Sequence, residues 1–258
     1  FGSQRKGLDS DLLLYNNLAA GIDYSANDVY SYKGEAKLIS FYGRINYNYL
    51  GKYMFIGTLR RDGSSRFGAN NKWGLFPSAS VAWRISDENF MKSTSNWLDN
   101  LKLRLGYGVT GNQDGIGEYK SLDILGTGSG TYYDAISQTW KKSYGVVQNA
   151  NPDLKWESTS QINIGLDFAV LGRINGTLEL YQKNTSDLLY TYAVPQPPYL
   201  VGTMLANVGD LSNKGIELSL DASLIEKKDL RWNINLTMAK NIQVVEKLSN
   251  QAYQCDSI

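Results

Sequence analysis

Histidine is absent from this chain of 258 residues. Without it there is no Ser-His-Asp triad, no Cys-His nucleophile pair, no His-ligated zinc and no proximal-His haem. Cysteine is almost absent as well: the single Cys255 near the C-terminal end allows neither an intrachain disulfide nor a multi-thiolate metal site. Charge of one sign is not in excess, with 26 Lys+Arg against 25 Asp+Glu and a formal net charge of +1. A nucleic-acid partner calls for a basic stripe or patch, so that class is excluded. Long apolar runs are missing too: no uninterrupted run of the residues AVILMFWYC exceeds four. A spanning helix needs about 20 predominantly apolar residues. The chain opens at Phe1-Gly2-Ser3 with no initiator Met, charged n-region or apolar h-region, so it is expected to be a piece of a longer protein.

These absences leave one route into a membrane open. A barrel strand needs only about 9 to 11 residues with every second one apolar, which keeps average hydropathy low. What the chain does have is aromatic side chains, 6 Trp, 18 Tyr and 7 Phe, with tyrosine in marked excess. It also has a period of two. Ile39, Phe41, Gly43, Ile45, Tyr47 and Tyr49 alternate with Ser40, Tyr42, Arg44, Asn46 and Asn48. The same alternation recurs at 53–62, 77–86, 101–110, 161–168, 174–181, 215–222 and 232–239, which makes eight strands. Only the 87–100 connection reads as helical, through Phe90, Met91, Trp97 and Leu98.

The connections alternate in length: tight at 50–52, 170–172 and 225–229, intermediate at 87–99, and long at 62–72, 111–154 and 187–208. Up-and-down strands of an outer-membrane barrel have short periplasmic turns and long extracellular loops, whereas a soluble sandwich has no reason to alternate. Aromatics gather beside the short turns: Tyr47, Tyr49 and Tyr53, then Trp83 and Trp97, Phe168, and Trp232. Amphipathic rings suit the interfacial belt. The polar face carries Arg44, Arg60, Arg84, Lys102, Arg104, Glu179 and Glu217, which a dry core would not tolerate and a wet lumen would solvate. The expected fold is therefore all-β, an antiparallel up-and-down transmembrane β-barrel segment. A soluble antiparallel sheet with one wet face explains the alternation equally well, but not the loop rule or the belts.

Few motifs suggest chemistry. The stretch 126–131 (GTGSGT) lacks the Lys-Ser/Thr and the helix of a phosphate-binding loop and reads as a plain flexible loop. The glycosylation sequons at Asn175, Asn184 and Asn235 fall largely on strands and have no use in a bacterial outer membrane. Glu157, Asp167, Glu179, Glu217 and Asp221 read as lumen carboxylates paired with the inward arginines rather than as a hydrolytic pair. The segment 60–68 (RRDGSSRFG) reads as an outer hairpin held by Arg-Asp pairing, and Trp156 is expected at the outer interface. Tyr119, Tyr132, Tyr133, Trp140, Tyr144, Tyr190, Tyr192 and Tyr199 sit on the long outer loops. Such rings suit stacking on sugar faces or packing on a partner, and loop-on-loop packing is the equal alternative. No residue is assigned to catalysis, to a cofactor or to a metal.

Five segments together resemble one family: 59–67 (LRRDGSSRF), 73–84 (WGLFPSASVAWR), 101–113 (LKLRLGYGVTGNQ), 151–157 (NPDLKWE) and 213–218 (NKGIEL). In order and spacing they are similar to the barrel half of SusC/RagA-type TonB-linked outer-membrane proteins. The resemblance implies about eight strands of a plugged 22-stranded barrel, energised from the inner membrane by TonB through a plug region that this chain does not contain. It further implies a SusD-like surface lipoprotein as partner and oligosaccharide or peptide cargo. Residues 1–37 are then an extracellular loop or strand remnant, 38–241 the barrel segment and 242–258 an irregular tail or truncated loop. Eight strands of so wide a barrel leave an open curved sheet with two unpaired edges. The alternatives are a structural or adhesion barrel with ligand-binding loops and, more remotely, an outer-membrane hydrolase.

Overall fold

The structure, a computed structural model, describes residues 33–249. Cys255, most of the 1–37 remnant and the end of the 242–258 tail lie outside these residues. Among the described residues ten strands form: β1 (Leu38–Tyr49), β2 (Tyr53–Ser64), β3 (Trp73–Arg84), β4 (Leu98–Asn112), β5 (Ile124–Asp134), β6 (Thr139–Gln148), β7 (Glu157–Val170), β8 (Ile174–Ala193), β9 (Thr203–Lys227) and β10 (Leu230–Lys247). Eight of them make one antiparallel sheet in the order β1-β2-β3-β4-β7-β8-β9-β10, while β5 and β6 form a separate hairpin. Among the described residues the sheet is open, with β1 and β10 as its edges, as expected of a partial barrel.

Register keeps the two faces apart across the whole sheet. Leu103, Leu166, Leu178, Leu218 and Met238 follow one another from strand to strand. One residue on, Arg104 lies opposite Gly165, which lies opposite Glu179, which faces Glu217. A one-residue slip anywhere would exchange the faces, so the hydrophobic pattern itself pins the pairing. The apolar face has nothing of its own to pack on: Phe41 and Ile45 are 62 % and 68 % exposed. Lipid takes the place of a core there, and the ladder satisfies the backbone, as any membrane-spanning structure must.

The tight turns explain themselves. Leu50 and Gly51 (φ 54° and 68°), and Leu171 and Gly172 (φ 56° and 61°), are both left-handed pairs. Two successive positive φ values make the turn whose twist matches that of paired strands. At the intermediate connection two 3-10 helices, Ile85–Asp87 and Asn89–Thr94, replace the single helix expected over 87–100. Glu88 anchors them: its carboxylate accepts the Tyr53 hydroxyl at 2.6 Å and the Trp83 indole N–H at 3.1 Å, with Lys52 Nζ at 3.5 Å. The Tyr53 bond first, then that of Trp83, holds the Glu88 carboxyl below the ordinary glutamate range. A depressed folded pKa gives stability that is complete above the unfolded value and lost as pH falls through the folded one. Amide protection over 85–97 should therefore stay flat from about pH 8 to 5 and fall only below about pH 4, as pH-resolved hydrogen exchange can measure. Loss already near pH 6 would exclude Glu88 as the anchor.

Three boundaries differ from expectation. β10 runs to Lys247, past the end expected at 241, pairing Ile242 with Lys214 and Val244 with Ser212. Lys240 interrupts the apolar alternation there, but ladder bonds need only backbone. The loop expected over 187–208 shrinks to 194–202, because β8 and β9 continue outward past a register shift at Leu188 that hides the period. Within 111–154 lies the β5–β6 hairpin, and the Gly-rich 126–131 stretch is part of β5 rather than a loop.

Candidate functional site: the outer collar and its aromatic hairpin

The long connections lock together at the outer end of the sheet. Phe67, from the β2–β3 loop, packs on Trp156 with the rings tilted at 38° and their centres 4.6 Å apart, and Phe76 of β3 meets the same indole edge-on at 5.5 Å. Ile116 and Leu154 complete a buried cluster. Polar bonds brace it: the Gly68 N–H donates to the Leu154 carbonyl at 2.8 Å, Asn71 Nδ2 to the Asp153 carbonyl at 3.1 Å, and the Trp156 indole to the Lys72 carbonyl at 3.1 Å. Gly68 is packed so tightly that a Cβ there would fall on the Pro152 carbonyl. Trp156 thus belongs to this buried cluster and not to the outer interface, because the loop from β2–β3 folds over it. The expected Arg-Asp pairing does occur, with Arg60 Nε 2.8 Å from Asp62 Oδ1.

A second set of bonds ties the same segment to β9 through asparagine side chains. Asn149 donates to the carbonyl of Thr203 at 3.0 Å and to that of Val201, and it accepts the Val201 N–H at 3.1 Å. Asn151 donates to Leu205 at 2.7 Å. Asn207 accepts the Lys155 N–H at 2.9 Å and donates to the Lys155 and Asp187 carbonyls at 2.8 and 2.9 Å. These amides continue a strand ladder where the chain is not extended enough to form one. Sequence reasoning passed over all three asparagines. Their only signal was the 151–157 segment of the family resemblance, which contains Asn151 alone.

The collar holds the β5–β6 hairpin outward. Tyr133 lies opposite Trp140 with the rings edge to face at 5.5 Å, and both stay about half exposed, at 52 % and 59 %. Tyr144, four residues along β6 from Trp140, shares that face by alternation, whereas Tyr132 faces Lys141 on the other side. At the tip Asp134 accepts Lys141 Nζ at 2.7 Å, the Ser137 hydroxyl at 2.7 Å and the Ile136 N–H at 3.0 Å. The lysine first, then the serine, holds its carboxyl well below the usual aspartate range.

The other loop aromatics scatter. Tyr119 occupies a turn at φ 63°, and Tyr199 is half-buried in the 194–202 loop. Tyr190 and Tyr192 are on β8 rather than on a loop. Tyr192, expected as a contact residue, is only 2 % exposed: it packs with Ala206 and Val208 and donates to the Leu248 carbonyl at 2.9 Å. The outward extension of β8 and β9 encloses it. Of the eight, two exposed rings meet, Tyr133 and Trp140, with Tyr144 on the same face of β6, whereas exposed Tyr190 meets only the buried Tyr192, edge to face at 5.4 Å.

On the polar face, Arg104 grips Asp167 with two bonds of 2.9 and 2.8 Å and reaches Glu179 at 2.7 Å, and Lys102 joins Asp167 at 2.8 Å. Arg104 lies flat over Gly165, where a Cβ would come within 2.8 Å of the guanidinium. Arg44 donates to Thr58 at 3.1 Å, and Arg84 pairs with Asp87 at 3.6 Å by the periplasmic turn. Glu217 is exposed beside Glu179. Among the described residues no group of His, Cys, Asp and Glu could hold a metal ion.

Residues 2–250 match the family described as TonB dependent receptor-like, beta-barrel. The chain belongs to that family. It is 39 % identical over 229 residues to the TonB-dependent receptor SusC of Bacteroides thetaiotaomicron, covering 85 % of this chain and 22 % of that protein. TonB-dependent receptor P39 of Formosa agariphila is 36 % identical over 238 residues, covering 92 % and 22 %. Among solved structures, the RagAB peptide importer in its closed-closed state superposes with a TM-score of 0.75 at 29 % identity, covering 98 % of this chain and 27 % of that one. The siderophore receptor PirA from Pseudomonas aeruginosa, at TM-score 0.52 and 17 % identity, shares the fold. The chain therefore spans about a fifth of the length of the curated relatives it matches. As part of a TonB-dependent receptor barrel of the SusC/RagA type it is placed in the bacterial outer membrane, in a family of transporters rather than enzymes.

Proposed function

We propose that the protein containing this chain imports large nutrients, oligosaccharides or peptides, through its barrel, and that the β5–β6 hairpin meets the cargo at the outer mouth. The observation that carries the second part is the Tyr133–Trp140 pair, half exposed on a hairpin whose base is fixed by the Asn149, Asn151 and Trp156 contacts. Aromatic faces held on a rigid base bind sugar rings or apolar peptide side chains with little entropy loss. The polar face, with its paired Arg104, Asp167 and Glu179, then offers a solvated path inward. We place a SusD-like surface lipoprotein over the mouth and the TonB complex at the periplasmic side, reading both from the SusC/RagA-type relatives.

The test is genetic and then biochemical. A strain lacking the gene should lose growth on one class of oligosaccharide or peptide and regain it with a full-length copy. Affinity purification of the intact protein should bring down a surface lipoprotein. Unchanged growth on every large nutrient, with loss of surface attachment instead, would favour an adhesion barrel.

A further inference from the structure

The outward face of the sheet carries cations at one level. Arg61 lies on the same face as Phe41 and Leu75, opposite them in register, with its guanidinium carbon 5.0 Å from the centre of the Trp73 ring. Lys240 of β10 lies opposite Ile216, and Lys214, two residues from Ile216 on β9, lies opposite Gln182 and Ile242, so the two lysines are diagonal neighbours on that face. Arg61 comes eight residues beyond Tyr53, and Lys240 eight residues beyond Trp232, each counted from the ring beside its periplasmic turn. At about 3.3 Å per residue and a tilt near 40°, eight residues climb roughly 20 Å. That is most of the apolar band, about 25 Å tall. Beneath the lysines the band is dry, with Leu178, Leu180, Ile216, Leu218 and Met238; above them β8 and β9 turn polar at Asn184 and Ser212, while Ile242 and Val244 of β10 stay apolar. A concavity of about 400 Å³ begins here, lined by Gln182, Asn184, Ser212 and Lys214 and closed at its upper end by Asp210 and Glu246. Glu246 is taken up by the Ser212 hydroxyl at 2.6 Å.

We infer that Lys214 and Lys240 bind the phosphate of a phosphorylated outer-leaflet lipid, whose acyl chains lie along the leucines below. Two ammonium groups at the boundary between hydrocarbon and headgroup meet anionic charge there, each worth several-fold in affinity. The carboxylates at the top of the concavity repel an anion and confine it to the lysine end. Neither lysine is engaged in an ion pair among the described residues. Arg61, held over Trp73 at the same level, marks the same boundary on the far side of the sheet.

The test uses the intact receptor in phosphatidylcholine vesicles containing either a bis-phosphorylated lipid A or its dephosphorylated form, with retained lipid counted by native mass spectrometry. The wild type should retain the phosphorylated lipid and not the dephosphorylated one. Lys214→Gln with Lys240→Gln should lower retention roughly thirtyfold, Lys214→Arg with Lys240→Arg should restore it, and Lys183→Gln should change nothing. Heat-modifiable migration shows that each variant is folded. Equal retention by the Gln pair, or equal retention of the dephosphorylated lipid, would overturn the assignment. Displacement of the lipid by millimolar inorganic phosphate would also overturn it, since the site would then read phosphate alone.

Discussion

Replacing Leu218 by Arg in the intact receptor should cost about 2–4 kcal/mol of barrel stability, the range for an arginine near the bilayer midplane on a lipid-facing strand position. Leu218 lies between Leu178 and Met238 on the apolar face, with no polar neighbour in register. An arginine there must snorkel past a ring of leucines or drag water with it. The adjacent Ser219→Arg should cost less than about 1 kcal/mol, because Ser219 lies on the wet face opposite Thr177 and Thr237. In cells the first variant should show a sharp fall in the folded, heat-modifiable outer-membrane form, and the second should assemble normally. Equal losses would mean that the two faces are wrongly assigned.

Trp156→Ala should open the collar while leaving the barrel assembled. The substitution empties the centre of a cluster that includes Phe67, Phe76, Ile116 and Leu154, and it leaves the Lys72 carbonyl without its indole donor. Removing a buried tryptophan costs about 3–5 kcal/mol. Here that loss is local, since the cluster is built from loops and strand ends rather than from the spanning sheet. Hydrogen exchange over 65–72 and 149–156 should rise toward that of an open loop, proteolysis should nick the β5–β6 hairpin connections, and exchange in β9 below Lys214 should stay at the wild-type level. Phe90→Ala, which removes an exposed ring from the periplasmic connection, is the matched control and should leave both regions unchanged.

How far the sequence could be read follows from where side chains alternate. Wherever one face meets lipid and the other water, as from Ile39 to Tyr49 or from Ile216 to Ala222, period two is visible and the sheet follows with its register. Where both sides are wet, alternation carries no information. That hid the hairpin, whose first strand runs through the Gly-rich 126–131 stretch, and it hid the outward extension of β8 and β9 past Leu188. The lumen charges were legible for the same reason as the strands, although which carboxylate Arg104 grips depends on cross-strand neighbours that only register supplies. The collar was illegible because its asparagines act on carbonyls far along the chain: Asn149 reaches Thr203, a separation of 54 residues, and nothing local marks an amide for such a partner. The loop tyrosines were a mixed group, and only packing separates Tyr192, buried under β9, from Tyr133, open to the outside.

The claim that joins fold to function is that the collar presents Tyr133 and Trp140 to the cargo. The direct measurement is equilibrium binding to purified full-length receptor of whichever oligosaccharide or peptide the deletion strain fails to use, comparing wild type with Tyr133→Ala/Trp140→Ala. The hairpin rings are exposed and bonded to no backbone group among the described residues, so the double variant should fold and reach the membrane at wild-type levels. Its affinity should fall by about thirtyfold, as expected when a pair of aromatic anchors worth about 2 kcal/mol is removed, while Tyr132→Ala on the opposite side of the hairpin should leave affinity within about twofold. Unaltered binding by the double variant would contradict the account and move cargo recognition away from the hairpin.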